Sequence, residues 1–356
     1  MNPIVPLHFL RGMHNKIKKE LVEHAMSTGN DLKSHIDNAL SGLEQAEKRW
    51  DEACEKAQIE LDICRREGLV LLTYTDVENF PAQLRQIPDP PMVLFGRGRW
   101  NNDKVPLAII GSRKATHYGL RTTRDLVLEL SRYPVHIISG LALGIDGHSH
   151  RTALEMGATT SAFVAGGMGH FSPRSHQRIA DQMVDEGGGY FTEQPFHQPS
   201  ERQMFPVRNR LIAGSSLATV VIEAAKQSGA MITANQAFNY HRELFALPGA
   251  LFQPMSAGPN ALIHQQMAVP IHDLAKFPGE FYPVWANSDG EIDFSESIEG
   301  LLIREFPHGR KVQLYHLYER LSTRKQHINK GLAVLIDLGV LEKIGPNVYC
   351  RKTVKN

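Results

Sequence analysis

The sequence predicts an α/β fold: an extended Rossmann-like sheet, doubly wound and mostly parallel, with an N-terminal helical domain and a C-terminal winged-helix domain. Two observations predict the sheet. Between residues 105 and 275, short apolar runs alternate with helical segments, which is the order of a parallel sheet with crossover helices. The runs are apolar throughout rather than at every second residue, as is typical of strands covered on both faces.

Length and composition bound the class of protein. A chain of 356 residues is long for one domain, and 42% hydrophobic with 22% charged residues fits a soluble globular protein. No apolar run approaches the roughly 18 residues of a membrane span, and no secretion signal is evident at the start. The three cysteines follow no disulfide or zinc pattern. We therefore expect a cytoplasmic protein without a metal ion or a cofactor.

Residues 1–66 form the predicted helical domain. The stretch 16–26 is amphipathic, and apolar residues recur at helical spacing over 30–64. We interpret these helices as a packed accessory bundle, with a partner or DNA surface as the alternative. The segment 10–24 weakly resembles a helix-hairpin-helix (SAM-like) module, but His14 stands where that motif has its second glycine.

The predicted sheet domain is 67–275. One strand follows residue 68 and another covers 92–95, with a proline-rich loop between them. The further strand candidates are 107–110, 135–139, 160–164, 189–192, 218–222 and 243–247. Doubly wound sheets bind their ligands at the carboxyl ends of the strands.

Those strand ends are rich in glycine and arginine. Glycine lets backbone amides approach an anion closely, and arginine adds charge. A helix N-terminus disfavours a cation, so an arginine beside one makes better sense if an anion neutralises it. The predicted anion-binding residues at these ends are Gly111, Ser112, Arg113, Gly140, Gly166 and Gly167.

The sharpest local pattern is "FPVRNRLIAG" at 205–214, where Arg208 and Arg210 flank Asn209. The two arginines grip either phosphates or inner carboxylates. Phe205 either stacks on a base or fills the core. Phosphate contacts combined with base stacking are how single strands are held without sequence preference.

Other candidate residues have structural interpretations. Asp146 and His150 share a helix face, which suits a helix cap and a buried histidine better than a metal pair. Glu223 at a strand end either binds a ligand or caps a helix. Ser112 has no evident triad partners, and no nuclease-like carboxylate cluster is present in the sequence. We therefore predict no catalytic residue.

The C-terminal part carries the clearest charge asymmetry. A linker is predicted at 276–298 and a winged-helix domain at 299–356, with helices over 301–306, 311–321 and 323–338 and a hairpin over 339–352. Residues 300–356 contain eleven Lys and Arg against four Asp and Glu, a net charge of +7. Such a charge on a small unit is an electrostatic footprint for nucleic acid.

The motifs of 68–264, taken in order, resemble the DNA-processing protein A (DprA/Smf) family. The matching pieces include "GSRKATHYG", "ISGLALGIDGHSHRTAL", "MFPVRNRLIAGSSLATVVIEAAKQSGAMITANQAF" and "RELFALPG". Each piece is weak by itself, and the ordered set is specific. The sequence departs from the family pattern at His170 and at Ser172-Pro173.

The resemblance implies a single-stranded DNA-binding protein without catalytic activity. Members protect incoming single strands in natural transformation, help to load the RecA recombinase and act as homodimers. By matching motif, Arg113, Phe205, Arg208 and Arg210 are the implied DNA-binding residues. Arg174 and Arg202 stand where members often have a basic residue.

Three alternatives remain open. One is an enzyme of the nucleotide phosphoribohydrolase (lysine-decarboxylase-like) type. The catalytic loop of those enzymes contains a double glycine, and the comparable stretch here, "AGSSLATVVIE" (213–223), lacks it. Another is a duplex-DNA regulator that binds only through the winged helix. The third is a divergent DNA-binding sensor in phage defence.

Overall fold

The computed structural model describes residues 2–29, 31–41 and 45–285. In the C-terminal part it describes residues 302, 311–313, 317, 332–333, 335–336, 341–345 and 348–351. The chain forms two compact units, residues 1–272 and 273–356. Among the described residues, no helix is both long and apolar enough to cross a lipid bilayer.

Four helices begin the first unit and confirm that this segment is helical. They are α1 Ile4–Phe9, α2 Asn15–Thr28, α3 Leu32–Leu40 and α4 Ala46–Glu67. The sequence analysis gave no separate bounds for α1, which is only six residues long and contains a proline. The α1 residues Ile4 and Leu7 are fully buried and share one apolar core with Phe95 of the sheet.

A nine-stranded sheet forms the centre of the first unit. Its strands are β1 Val70–Thr73, β2 Val93–Gly98, β3 Val105–Ile110, β4 Val135–Ser139, β5 Thr159–Phe163, β6 Gly189–Thr192, β7 Ala218–Val221, β8 Glu243–Ala246 and β9 Val269–Pro270. Their order is β1-β2-β6-β5-β4-β3-β7-β8-β9. The seven strands from β6 to β9 in this order run parallel to one another. At one edge, β2 pairs antiparallel with β6, and β1 pairs antiparallel with β2. The predicted doubly wound, mostly parallel sheet is confirmed.

Helices connect the parallel strands. They are α5 His117–Leu130, α6 Ile145–Glu155, α7 Gln177–Asp185, α8 Met204–Gly214, α9 Gly229–Asn239 and α10 Ala257–His264. After β3 the chain adds strands on one side as far as β6, and from β7 it adds them on the other side. The neighbours β3 and β7 therefore flank the topological switch point, where a crevice opens at the carboxyl ends.

The second unit starts with α11 Phe277–Phe281 and a helical turn at Pro283–Trp285, inside the predicted linker. Its strands β10 Lys311–Gln313, β11 Leu341–Gly345 and β12 Val348–Arg351 form an antiparallel sheet in the order β10-β12-β11. The predicted hairpin over 339–352 is confirmed by β11 and β12. The helix predicted from residue 311 is wrong at its start, because Lys311–Gln313 pairs with β12. The other helices predicted here lie largely outside the described residues, and the winged helix stays a prediction.

Candidate nucleic-acid interface

A groove of about 920 Å³ opens at the switch point between β3 and β7, and we call it the switch-point groove. One wall is the segment 110–114 that follows β3, and another is the segment 225–228 that follows β7. Most of the remaining lining comes from α8 and α9, and Ala142, Asp146, Arg202 and Met255 complete it. The groove therefore lies where a doubly wound sheet places its ligand.

The side chain of Phe205 lies beside two guanidinium groups in this groove. Its ring centroid is 4.9 Å from Cζ of Arg113 and 5.9 Å from Cζ of Arg208. Phe205 is half-buried, Arg113 is exposed and Arg208 is only 6% exposed. Both distances lie within the range of cation–π attraction. An aromatic surface and two positive charges thus form one contiguous feature.

Hydrogen bonds to the ends of two strands hold Arg208 in place. Its Nη1 donates to the carbonyl oxygen of Gly140 at 2.9 Å and to that of Phe163. Its Nε donates to Oδ1 of Asn209 at 3.2 Å. Among the described residues, Nη2 has no hydrogen-bond partner. The guanidinium is therefore fixed on one side and able to donate to a ligand on the other.

Positive charge dominates the lining of the groove. Its cationic residues are Arg113, Lys114, Arg202, Arg208 and Lys226. Among the described lining residues the only acid is Asp146, which is 7% exposed. Burial raises the pKa of Asp146, and the charge of Arg208 opposes that rise.

Burial also lowers the pKa of Arg208 to about 10, with Asp146 acting to raise it and Arg113 to lower it. Arg208 therefore stays charged at neutral pH.

Helix α9 begins in the groove. Its first residues, Gly229 to Met231, line the groove, and Ser228 before them has no side-chain hydrogen bond to the helix. The first N–H groups of a helix have no partner inside it, and the helix dipole favours an anion at this end. These amides add to the positive character that the arginines supply.

The structure brings together seven of the twelve predicted binding residues. Those that line the groove are Gly111, Ser112, Arg113, Arg202, Phe205, Arg208 and Asn209. Gly140 lies beneath them, and a Cβ there would come within 2.8 Å of Nη2 of Arg208 and of a carboxylate oxygen of Asp146. Its carbonyl holds Arg208 and its amide donates to Asp146 at 3.2 Å, so both of its polar groups are used inside the protein.

Arg210 faces away from the groove. Residues two apart on a helix point about 200° apart, so Arg208 and Arg210 lie on opposite faces of α8. The guanidinium of Arg210 forms a buried ion pair with Glu193, and its Nη1 donates to the carbonyl oxygen of Asp89 at 2.8 Å. This contact matches the inner-carboxylate alternative, and Arg210 is not among the residues that line the switch-point groove.

Gly166, Gly167 and Arg174 also lie outside the groove. A Cβ on Gly167 would come within 1.8 Å of the carbonyl oxygen of Pro195, and its amide donates to Gln198 at 2.8 Å. Close packing of the loop after β6 therefore requires glycine here. Arg174 lines a separate cavity of about 640 Å³, and so do His170 and Ser172, where the sequence departs from the family pattern.

Two further candidate residues have structural partners. The carboxylate of Glu223 accepts hydrogen bonds from the amide of Thr116, at 2.8 Å, and from its hydroxyl, so it holds the residue that caps α5. The Nδ1 atom of His150 lies 2.7 Å from Oγ1 of Thr160 in the core. In the part of the chain that the structure describes, no group of three His, Cys, Asp or Glu residues could hold a metal ion.

The sequence analysis missed Lys114, Lys226 and the first turn of α9. Lys226 follows β7 and Lys114 follows β3, and only the strand order makes these two ends neighbours. A rule that inspects every residue after each buried strand would have included both lysines.

Comparison with known proteins matches residues 71–281 to a family described as DNA recombination-mediator protein A. The chain is 38% identical over 190 residues to "DNA processing protein DprA" of Bacillus subtilis, across 53% of this chain and 64% of that protein. The matches span between about half and two thirds of the length of the first curated relatives.

Two solved structures are also similar to this chain. One is DNA processing protein A from Streptococcus pneumoniae, at 26% identity and a TM-score of 0.67, covering 79% of this chain and 98% of that one. The other is described as giving insights into the unique single-stranded DNA binding mode of DNA processing protein A from Helicobacter pylori. It is 27% identical, with a TM-score of 0.53, and covers 60% of this chain and 94% of that one.

Proposed function

Because the chain belongs to the DNA recombination-mediator protein A family, we propose that its switch-point groove binds single-stranded DNA without reading the base sequence. One observation carries the proposal: the Phe205 ring lies beside the guanidinium groups of Arg113 and Arg208 at the carboxyl ends of β3 and β7. A nucleotide offers both a base to stack and a phosphate to pair with a cation.

The two arginines have different roles in this proposal. Arg113 is exposed at the rim and meets a phosphate from solvent. Arg208 is fixed at the floor and donates from Nη2 to a phosphate that enters the groove. Phosphate contacts position a strand without specifying its sequence, and stacking on Phe205 accepts any base. Binding therefore varies little with sequence.

The depth of the groove favours a single strand over a duplex. Arg208 is 6% exposed and Phe205 is half-buried, so a ligand has to enter the groove to meet them. The bases of a duplex are paired and stacked on each other, whereas a single strand can turn a base onto an aromatic ring. A duplex reaches mainly the exposed cations at the rim.

The structure does not favour the phosphoribohydrolase alternative. That activity needs a free acid at the end of β7, where Glu223 is 3% exposed and accepts hydrogen bonds from Thr116. The remaining acid of the groove, Asp146, accepts from the Gly140 amide. We assign no catalytic step to this chain.

The wider role is proposed from the family. We propose that the chain protects incoming single strands in natural transformation and helps to load the RecA recombinase, in the cytoplasm and as a homodimer. The edge strand β9, whose Val269 is 54% exposed, offers a surface for a second copy. The charge of +7 on residues 300–356 supports a winged-helix domain that contacts DNA.

Fluorescence anisotropy with oligo(dT) and a duplex of equal length tests the proposal. The protein should bind oligo(dT) more tightly, and Arg113→Ala should weaken that binding about ten- to a hundredfold without lowering the melting temperature. The control is Arg132→Ala, an exposed arginine that pairs with Glu129 at the other end of α5. An unchanged dissociation constant for Arg113→Ala at fixed salt would remove the groove from the binding site.

A further inference from the structure

We propose that Phe252, in the loop after β8, is a second base-stacking site for a single strand that leaves the switch-point groove. The inference rests on the proposed function. Phe252 is 98% exposed and its neighbour Leu251 is 84% exposed, the highest values among the large hydrophobic side chains of the described residues. Two adjacent apolar side chains that are exposed to water indicate a surface that binds a ligand.

The loop that carries Phe252 is held at both ends. The backbone amide and carbonyl of Gly249 exchange hydrogen bonds with the Asn260 side chain at 3.1 and 2.9 Å. The amide of Ala224 donates to the carbonyl oxygen of Met255 at 2.7 Å. The loop thus presents the Phe252 ring to solvent from a defined position, which lowers the entropy cost of stacking.

This loop is continuous with the groove. Met255 belongs to the loop and lines the groove. The loop follows β8, which pairs with β7 through Val221 and Ala246. Adjacent strands lie about 4.8 Å apart, so the carboxyl ends of β3 and β8 are about 10 Å apart. A stacked strand advances about 3.4 Å per nucleotide, so about three nucleotides cover this distance.

Basic side chains mark the path between the two sites. The exposed Lys226 follows β7, the strand between β3 and β8. The exposed His117 starts α5, and the next residue, Tyr118, donates its hydroxyl to the carbonyl oxygen of Pro248 at 3.2 Å. The first turn of α5 therefore contacts the loop. Lys226 on the lining of the groove and His117 beside the loop are placed to meet phosphates of a strand that runs from Phe205 to Phe252.

The size of the apolar feature suits a base better than a protein. A stable protein interface takes about 800 Å² from each partner. Phe252 supplies about 200 Å² and Leu251, a smaller side chain, supplies less, so the two together offer less than about 400 Å². The flanking Ala250 and Gln253 extend this area little. A nucleobase needs only one ring face, and every base offers one.

The test compares Phe252→Ala with Phe238→Ala, a 47%-exposed phenylalanine near the C-terminal end of α9, far from the groove-lining first turn. The ligands are oligo(dT) of about 2 nucleotides, too short to span the roughly 10 Å between the ends of β3 and β8, and of about 12 nucleotides, a length within the usual range of single-strand sites. A third ligand is an oligonucleotide of about 12 nucleotides that keeps its central bases and has abasic sites on both sides of them.

Phe252→Ala should weaken binding of the longer oligo(dT) about five- to a hundredfold and leave the short one unchanged. The variant and the wild type should bind the ligand with abasic flanks equally. Phe252→Trp should retain the affinity of the wild type, and Phe238→Ala should change nothing.

Three results would overturn the inference: an equal loss on both lengths, no loss on either, or a changed oligomeric state of Phe252→Ala by light scattering. If the wild type fails to bind the short oligo(dT) at low salt, or if Arg113→Ala leaves that binding intact, the proposed function itself fails. The short ligand thus separates the two failures.

Discussion

Replacing Phe205 with alanine removes the aromatic surface of the groove while leaving its charges in place. The ring is half-buried and lies 4.9 Å from the Arg113 guanidinium and 5.9 Å from that of Arg208. Arg208 keeps its hydrogen bonds to strand ends, which do not involve the ring. The substitution therefore tests stacking separately from phosphate binding.

The expected loss follows from the contacts. Stacking of a base on an aromatic ring contributes about 1–3 kcal/mol, so the affinity for oligo(dT) should fall about five- to a hundredfold. The half-buried ring surface and the cation–π contact with the exposed Arg113 each contribute about 1 kcal/mol to folding, so the melting temperature should fall by only a few degrees. Phe205→Ala and Arg113→Ala should be non-additive, because both side chains would hold one nucleotide.

Anisotropy titrations with oligo(dT) and with a duplex of equal length measure both losses, and Phe238→Ala serves as the control for an exposed phenylalanine. The loss should be large for the single strand and small for the duplex. Equal losses on the two ligands would refute the stacking role. Phe205 would then be a packing residue, and the arginines would be a general anion site.

Three further predictions concern stability. Arg208→Ala should lower the free energy of unfolding by about 3 kcal/mol, because it leaves buried carbonyl groups without donors; an unchanged denaturation midpoint would contradict this. The buried His136 and His150 have pKa values lowered to about 4 and about 3, whereas the unfolded chain protonates histidine near pH 6.5. The free energy of unfolding should therefore be constant just above pH 6.5. Between pH 6.5 and pH 4 it should fall by about 1.4 kcal/mol per histidine for each unit by which the pH decreases. Equal urea midpoints at pH 7 and pH 5 would contradict this. Gly167→Ala should lower the melting temperature far more than Gly229→Ala, where an added Cβ meets no atom within 4 Å, and equal melting temperatures would show that the loop after β6 adapts.

The parallel strands could be predicted from sequence because burial on both faces leaves a continuous apolar run. Each of the six strand candidates over 107–247 starts and ends within two residues of an observed strand. The order of those strands could not be predicted from the same pattern, because pairing joins residues that are distant in the chain. That order is what makes the ends of β3 and β7 neighbours.

The different positions of the two arginines in "FPVRNRLIAG" could not be predicted from the motif alone. A helix over Met204–Gly214 puts Arg208 in the groove and Arg210 on the opposite face, against Glu193. The segment was not assigned as a helix from sequence, so the two arginines appeared equivalent. A helical assignment would have separated them by geometry alone.

The glycines at the strand ends give a similar lesson. Gly111 lines the groove as expected, but a Cβ there would come within 2.6 Å of Ile145, so atoms of the protein itself require glycine at Gly111 as well as at Gly140 and Gly167. A Cβ on Gly140 would press against Arg208 and Asp146, and one on Gly167 against Pro195. The glycines in the sequence indicate that another group packs closely against the backbone at these positions. Only the fold shows whether that group is a ligand or an atom of the protein.

A structure of the full chain with a short oligo(dT) tests the central claim most directly. The account predicts one base stacked on the ring of Phe205, with phosphate oxygens within hydrogen-bonding distance of Arg113 and of Nη2 of Arg208. A strand bound along another surface, with the switch-point groove empty, would contradict it.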